Sequence, residues 1–200
     1  MSFRLEEKIF AGIGNGLNVL NEITRSNLVQ LYPCRRVDSV YFDSSAYDLF
    51  HLSEEGLLPR KKIRIRSYPD YESDFLLETK ISSIEGRFKT SSVISDYQKD
   101  LYLSQGLLDN DYGHLIPLVN VSYSRSYFSF ESIRLTLDTD ITYSLFDRSY
   151  KVNEPYSVVE VKAPISELPI VESITSRFKV SRFSKFSNAM RALMSDFNGI

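Results

Sequence analysis

The sequence predicts a mainly β, α+β domain in which an antiparallel meander is covered by a few helices. Three observations lead there. The 200 residues include 13 Tyr and 13 Phe with no Trp, and both aromatic types favour strands. Short segments that alternate apolar with polar side chains recur between turn-like clusters. Only three stretches carry apolar residues at helical spacing, which suits coverings for a sheet rather than a bundle.

Taken in order, residues 16–30 form the first helical stretch, with Leu17, Leu20, Ile23 and Leu28 near helical spacing. Alternating segments at 39–42, 62–68, 75–81, 118–127, 133–138 and 156–162 are the strands. Tyr68-Pro69-Asp70 and Asp109-Asn110-Asp111 supply turn chemistry between them. Residues 100–114 read as a long surface connection. A second helix follows Pro169, and a third spans 187–197 with Met190, Leu193, Met194 and Phe197 on one face. No repeat, low-complexity tract or long linker divides the chain, so residues 1–200 read as a single domain, and 42% hydrophobic content supplies its core.

Composition removes several functions. With 24 Lys+Arg against 26 Asp+Glu the net charge is -2, so no globally basic surface exists to coat a nucleic acid. The lone Cys34 excludes an intrachain disulfide and a cysteine zinc site, and fits a reducing, cytoplasmic setting. His51 and His114 are far apart and carry no metal or Ser-His-Asp motif. The opening residues are charged where a signal peptide is apolar, and no run of about 18 apolar residues marks a membrane span. Gly12-Ile13-Gly14-Asn15-Gly16 lacks both the third glycine of G-x-G-x-x-G and the Lys-Ser/Thr of a P-loop, so no ligand contact is assigned to it.

The charged residues of the strands are more telling. In Arg60-Lys61-Lys62-Ile63-Arg64-Ile65-Arg66, period two puts Ile63 and Ile65 on one face and Lys62, Arg64 and Arg66 on the other. Glu78 and Lys80 alternate with Leu77 and Thr79, Arg134 and Asp138 with Leu135 and Leu137, and Glu160 and Lys162 with Val159 and Val161. Such strands suit a closed barrel whose charged faces line a lumen and whose apolar faces lie under helices. Converging cations repel unless they surround a multiply charged anion, and phosphate chains fit that role. The carboxylates among them, Glu6, Glu78 and Glu160, suit a hard cation such as Mg²⁺ or Mn²⁺.

These residues resemble the VTC domain of polyphosphate polymerases, within the CYTH-like triphosphate tunnel metalloenzyme superfamily. The marks run nearly end to end: Arg4-Leu5-Glu6-Glu7-Lys8, Val40-Tyr41-Phe42-Asp43, Lys62-Ile63-Arg64-Ile65-Arg66-Ser67-Tyr68 and Glu78-Thr79-Lys80. Tyr123-Ser124-Arg125, Arg134-Leu135-Thr136-Leu137-Asp138, Val159-Glu160-Val161-Lys162 and Arg182-Phe183-Ser184-Lys185-Phe186 follow. Their joint order makes the match specific.

The resemblance implies an eight-stranded antiparallel barrel, the triphosphate tunnel, with helices packed outside. It implies an enzyme, a phosphotransferase moving the ATP γ-phosphoryl group to inorganic polyphosphate with Mn²⁺ or Mg²⁺. The alternatives are a triphosphatase or a polyphosphate-binding module. Carried over, the phosphate contacts are Lys8, Arg64, Arg66, Lys80, Lys89, Tyr123, Arg125, Arg134, Arg182, Ser184 and Lys185, with Arg87 sharing the face of Lys89. Among them, Arg64, Arg66, Lys80, Arg125, Arg134 and Lys185 act on the transferring group. Glu160 takes the metal, and Glu6 and Glu78 either join it or pair with the cations. The hydrolytic branch typically opens E-x-E-x-K, and Arg4 in place of the first glutamate resembles the polymerase branch. The phosphate-sensing domain and membrane helices of the eukaryotic polymerases are not found in these residues.

Overall fold

The computed structural model describes residues 4–12, 14–24, 27–71, 74–180 and 182–195; Phe197, expected on the last helix, lies outside them. The chain runs β1 (Arg4–Gly12), α1 (Gly16–Thr24), β2 (Val29–Asp43), α2 (Asp48–Glu55), β3 (Arg60–Ser67), β4 (Phe75–Ser83) and β5 (Gly86–Ile94). It continues with α3 (Asp96–Gln105), β6 (Leu107–Asp109), β7 (Gly113–Phe130), β8 (Ile133–Leu145), β9 (Val152–Asn153) and β10 (Tyr156–Pro164). A 3-10 turn (Ile165–Glu167), α4 (Leu168–Thr175) and α5 (Lys185–Ser195) complete it. Among the described residues no helix is long and apolar enough to cross a membrane.

The strands hydrogen-bond in the order β1-β10-β8-β7-β2-β3-β4-β5, with β6 beside β7 and β9 beside β8. Eight strands therefore form the main path, as expected, and two short ones flank it. The path has two ends, so among the described residues the sheet is open and not a hydrogen-bonded ring. β5, one of those ends, is exposed along most of its length and carries Arg87 and Lys89, the charges with which natural edge strands resist further pairing. The chain gathers into two compact units: Met1–Arg36, Tyr123–Ile141 and Asn153–Phe183 in the first, Val37–Ser122, Thr142–Val152 and Ser184–Ile200 in the second.

In the first unit, β10 lies antiparallel between β1 and β8, with Ile9 opposite Val159 and Val159 opposite Leu137. Alternation sends Ile9, Leu135, Leu137, Val159 and Val161 to one face, where they pack with Leu20 and Ile23 of α1 and Val171 and Ile174 of α4. Gly16 opens α1 because a Cβ there would stand 2.4 Å from a Leu137 methyl. Just before it, the Asn15 N–H donates to the Gly12 carbonyl at 2.9 Å.

α1 stops at Thr24 and not at residue 30, because the Thr24 hydroxyl bonds back to the Leu20 carbonyl at 2.9 Å and the Asn27 N–H turns to the Thr24 carbonyl. Leu28 still packs against the core, which explains why its spacing suggested a longer helix. Residues 100–114 are likewise not a plain connection. A Ser95/Gln98 capping box starts α3, and because none of its residues is buried it carries no apolar stripe to read.

In the second unit, β3 lies between β2 and β4, and β5 pairs with β4. Ile63 and Ile65 are each buried to 3% exposure, as their alternation predicts. The chain leaves β2 through Asp43, whose carboxylate is fully buried. Its Oδ1 accepts from the Ser44 and Leu49 N–H groups and its Oδ2 from Phe50 N–H, at 2.8–3.0 Å, so it caps the first turn of α2. Burial is the larger influence on this acid and raises its pKa from 3.8 to about 6, against those three donors.

Two consequences are measurable. Asp43→Ala should cost on the order of 2–4 kcal/mol in a denaturant titration, since it orphans three buried N–H groups. The folded pKa lies above the unfolded value, so the folded state holds the proton more tightly. Compared with Asp43→Asn, the parent should therefore be most stable below about pH 4 and lose that margin as the pH climbs through about 6.

Candidate functional site

The charged strand faces form two clusters, one in each unit. In the second unit, antiparallel register sets Arg64 opposite Glu78 and Glu78 opposite Ser91, diagonal to Lys89. Glu78, 3% exposed, becomes the meeting point of three cations. Arg64 donates to Oε2 through Nε at 2.7 Å and stands at 2.6 Å through Nη2; Lys89 bonds Oε1, and Arg66 Nε lies 3.6 Å from Oε2. Arg64 Nη1 also donates to the Tyr41 hydroxyl at 2.7 Å, and the Tyr41 ring stacks on Phe186 of α5 at 5.2 Å. These contacts pin the guanidinium of Arg64 in one orientation.

One rung further along the same face, Lys62 is opposite Lys80 and Lys80 opposite Lys89. Lys62 donates to Ser184 Oγ at 2.6 Å, and the same oxygen accepts the Ser187 N–H, which makes Ser184 the cap of α5. Lys185 is the first residue of that helix.

In the first unit, Arg125 grips Asp138 with a two-pronged fork, Nε to Oδ1 at 2.6 Å and Nη2 to Oδ2 at 2.7 Å. Burial opposes the charge on Arg125, but the pull of Asp138, with Tyr123, the hydrogen bonds to Asp138 and Glu160, outweighs it and raises the pKa. The guanidinium stands 5.1 Å from the centre of the buried Tyr123 ring. Between β1 and β10, Glu6 is opposite Lys162 and Lys8 opposite Glu160, a checkerboard of alternating charge. Lys8 lies 3.5 Å from Glu6 and donates to the Phe183 carbonyl at 2.9 Å; Lys162 lies 3.4 Å from Glu160. Arg134 is exposed and opposite Lys162 on β8. Arg182 is exposed in the segment before α5.

The expected metal carboxylates are divided between the ladders of the two units. Glu78 belongs to the β3–β4–β5 ladder among cations, whereas Glu6 and Glu160 are diagonal on β1 and β10. Among the described residues no three His, Cys, Asp or Glu side chains form a metal-binding cluster. Glu6 and Glu160 do offer hard oxygen donors on one face, and Thr136, opposite Glu160, buries a hydroxyl that finds no hydrogen-bond partner among the described residues. That donor set fits Mg²⁺ or Mn²⁺; the Glu78 environment does not. The Arg4 side chain lies outside the described ones.

Asp138, Tyr41, Lys62 and Lys162 join these clusters without having been singled out as site residues. Each sits inside a motif already noted and shares the parity of its charged neighbours, which is the signal that marks them.

Among solved structures, the chain is similar to a candidate adenylate cyclase from Bacillus halodurans (16% identity, TM-score 0.65, covering 94% of this chain and 97% of that one). It is also similar to a candidate adenylyl cyclase from Hippeastrum, described with a dominant triphosphatase activity (15% identity, TM-score 0.63, 96% and 97% covered). A third likeness is to a chain of the Schizosaccharomyces pombe Mediator head module (7% identity, TM-score 0.52, 88% and 96% covered). At these identities the likeness is one of fold. No curated protein sequence matches the chain. The VTC domain family model matches residues 4–110 and 91–194, nearly the whole sequence. With its antiparallel sheet and its paired ladders of strand-borne cations, this chain belongs to the VTC domain family.

Proposed function

We propose that this chain, acting as a single domain, is a polyphosphate polymerase that transfers the γ-phosphoryl group of ATP to the end of a growing inorganic polyphosphate chain. The observation that carries this reading is the convergence of cations on the strand face of β3, β4 and β5, where Lys62, Arg64, Arg66, Lys80 and Lys89 gather around the carboxylate of Glu78. A face so rich in cations matches a multiply charged anion better than a solvated surface, and membership of the VTC family favours a phosphate chain. Cys34, free and exposed, suits a reducing cytoplasmic setting.

Transfer asks little covalent chemistry of the protein. A terminal anionic oxygen of the acceptor forms a bond to the γ-phosphorus, the bond from that phosphorus to the bridging β–γ oxygen breaks, and ADP leaves with the electron pair. No proton has to be removed, so a general base is not required. Arg64, Arg66, Lys80 and Lys89, and in the other cluster Lys8, Arg125 with Tyr123, and Arg134, hold and neutralise phosphate oxygens. Arg182, Ser184 and Lys185 add contacts near the start of α5. Glu160 and Glu6 would hold Mn²⁺ or Mg²⁺, which when bound would neutralise charge on the transferring group. Asp138 keeps Arg125 aimed, and Glu78 does so for Arg64.

Purified protein incubated with ATP and Mn²⁺ should release ADP and build phosphate polymers seen as a ladder on a gel. Stoichiometric free phosphate without polymer would instead mean a triphosphatase, and tight polyphosphate binding without ADP a binding module. Glu160→Gln should lower turnover about tenfold or more at limiting Mn²⁺ while polyphosphate binding persists. Parental turnover at limiting metal would reduce Glu160 to a partner of Lys162 and Arg125. Glu78→Gln removes a counter-charge shared by three cations. Its melting temperature should fall without ligand and rise more than the parent's on adding tripolyphosphate, since phosphate then replaces the missing anion.

A further inference from the structure

We propose that Ser39 is a further phosphate-binding residue, whose hydroxyl donates to the phosphate group held by Arg66, an inference that rests on the phosphate-handling function proposed above. On β2, Ser39 and Tyr41 share a face, and register sets Ser39 opposite Arg66 and Tyr41 opposite Arg64. Directly opposed side chains are neighbours, with Cβ atoms about 4.5–5.5 Å apart. Tyr41 shows the pairing in use, since its hydroxyl accepts from Arg64 Nη1 at 2.7 Å. Ser39 therefore lies one rung along β2, on the face that carries the arginines.

Ser39 is 3% exposed, and its Oγ finds no hydrogen-bond partner among the described residues. A buried hydroxyl normally has one, because leaving it without a partner costs stability. Thr24 and Ser44 follow that rule, bonding to the Leu20 carbonyl and to Asp48 Oδ2. Thr136 Oγ1, in the other unit, shares the condition of Ser39 and stands opposite Glu160. Both hydroxyls thus lie on charged strand faces, beside residues assigned to phosphate or metal, and not in the aliphatic layers. The guanidinium beside Ser39 has donors only, so the hydrogen of the hydroxyl needs an acceptor from elsewhere. A phosphate group drawn to Arg66 brings several acceptor oxygens to that rung. The Arg66 side chain keeps 11% exposure, so the rung is open to a ligand.

The test is calorimetric titration of the whole protein with tripolyphosphate, joined to thermal unfolding of the ligand-free protein. Ser39→Ala should weaken tripolyphosphate binding about tenfold, as one hydrogen bond to a charged oxygen predicts. Its melting temperature without ligand should equal or exceed the parent's, because the change removes a buried hydroxyl that has no partner. Ser39→Cys nearly keeps the shape of the side chain but donates weakly, so it should lose affinity in the same way and keeps the test alive if the alanine variant does not fold. In a double-mutant cycle, Ser39→Ala with Arg66→Ala should lose less than the product of the two single losses, because both residues hold one phosphate. Parental affinity in Ser39→Ala, a lowered melting temperature without ligand, or purely multiplicative losses in the cycle would overturn the inference. A parent protein that binds no tripolyphosphate would overturn the proposed function with it.

Discussion

Antiparallel register decides which charges meet, and the chemistry of both clusters depends on it. A strand reading E-x-K can be paired in two ways. Laid against another E-x-K, as β1 is against β10, it yields a neutral checkerboard of Glu6, Lys8, Glu160 and Lys162. Laid against K-x-R-x-R, as β4 is against β3, it yields one buried glutamate under two arginines and a row of lysines beside it. The same local motif thus meets alternating charges in one ladder and a gathering of cations in the other. A slip of one residue would send every charge in either ladder into the aliphatic layer, so burial of Ile9, Val159, Ile63 and Ile65 fixes the register.

Holding cations on strand faces is costly unless their geometry is prepared in advance. Glu78 and Asp138 do this from positions with almost no solvent access, where a carboxylate bonded to guanidinium is held far more firmly than at a surface. Each arginine also has an aromatic backing, Tyr41 beneath Arg64 and Tyr123 beneath Arg125. A fixed guanidinium loses little freedom when it meets a phosphate, which is how electrostatic preorganisation lowers the cost of binding and of transfer.

Much of this was legible in the sequence because strand alternation is a strict period. It separated Ile63 and Ile65 from Lys62, Arg64 and Arg66, and it separated Leu135 and Leu137 from Arg134 and Asp138. Pairing was not legible, since nothing local to Glu78 says that Lys89 rather than a metal lies beside it. For Glu78 the sequence left metal contact and pairing with cations both open, and the β3–β4–β5 ladder shows it paired with Arg64 and Lys89. Strand β5 and helix α3 escaped for a shared reason: most of their side chains are exposed, so no apolar period betrays them. The end of α1 was misplaced because Leu28 keeps its contact with the core after the helix has stopped.

On the proposed function these strand faces, and not some other surface, bind phosphate chains. A crystal structure determined with tripolyphosphate and Mn²⁺ tests it most directly. Phosphate groups should lie against Arg64, Arg66, Lys80 and Lys89, and against Arg125 and Arg134, with the metal on Glu160. Phosphates seated elsewhere, with both clusters left in their present internal pairings, would contradict it.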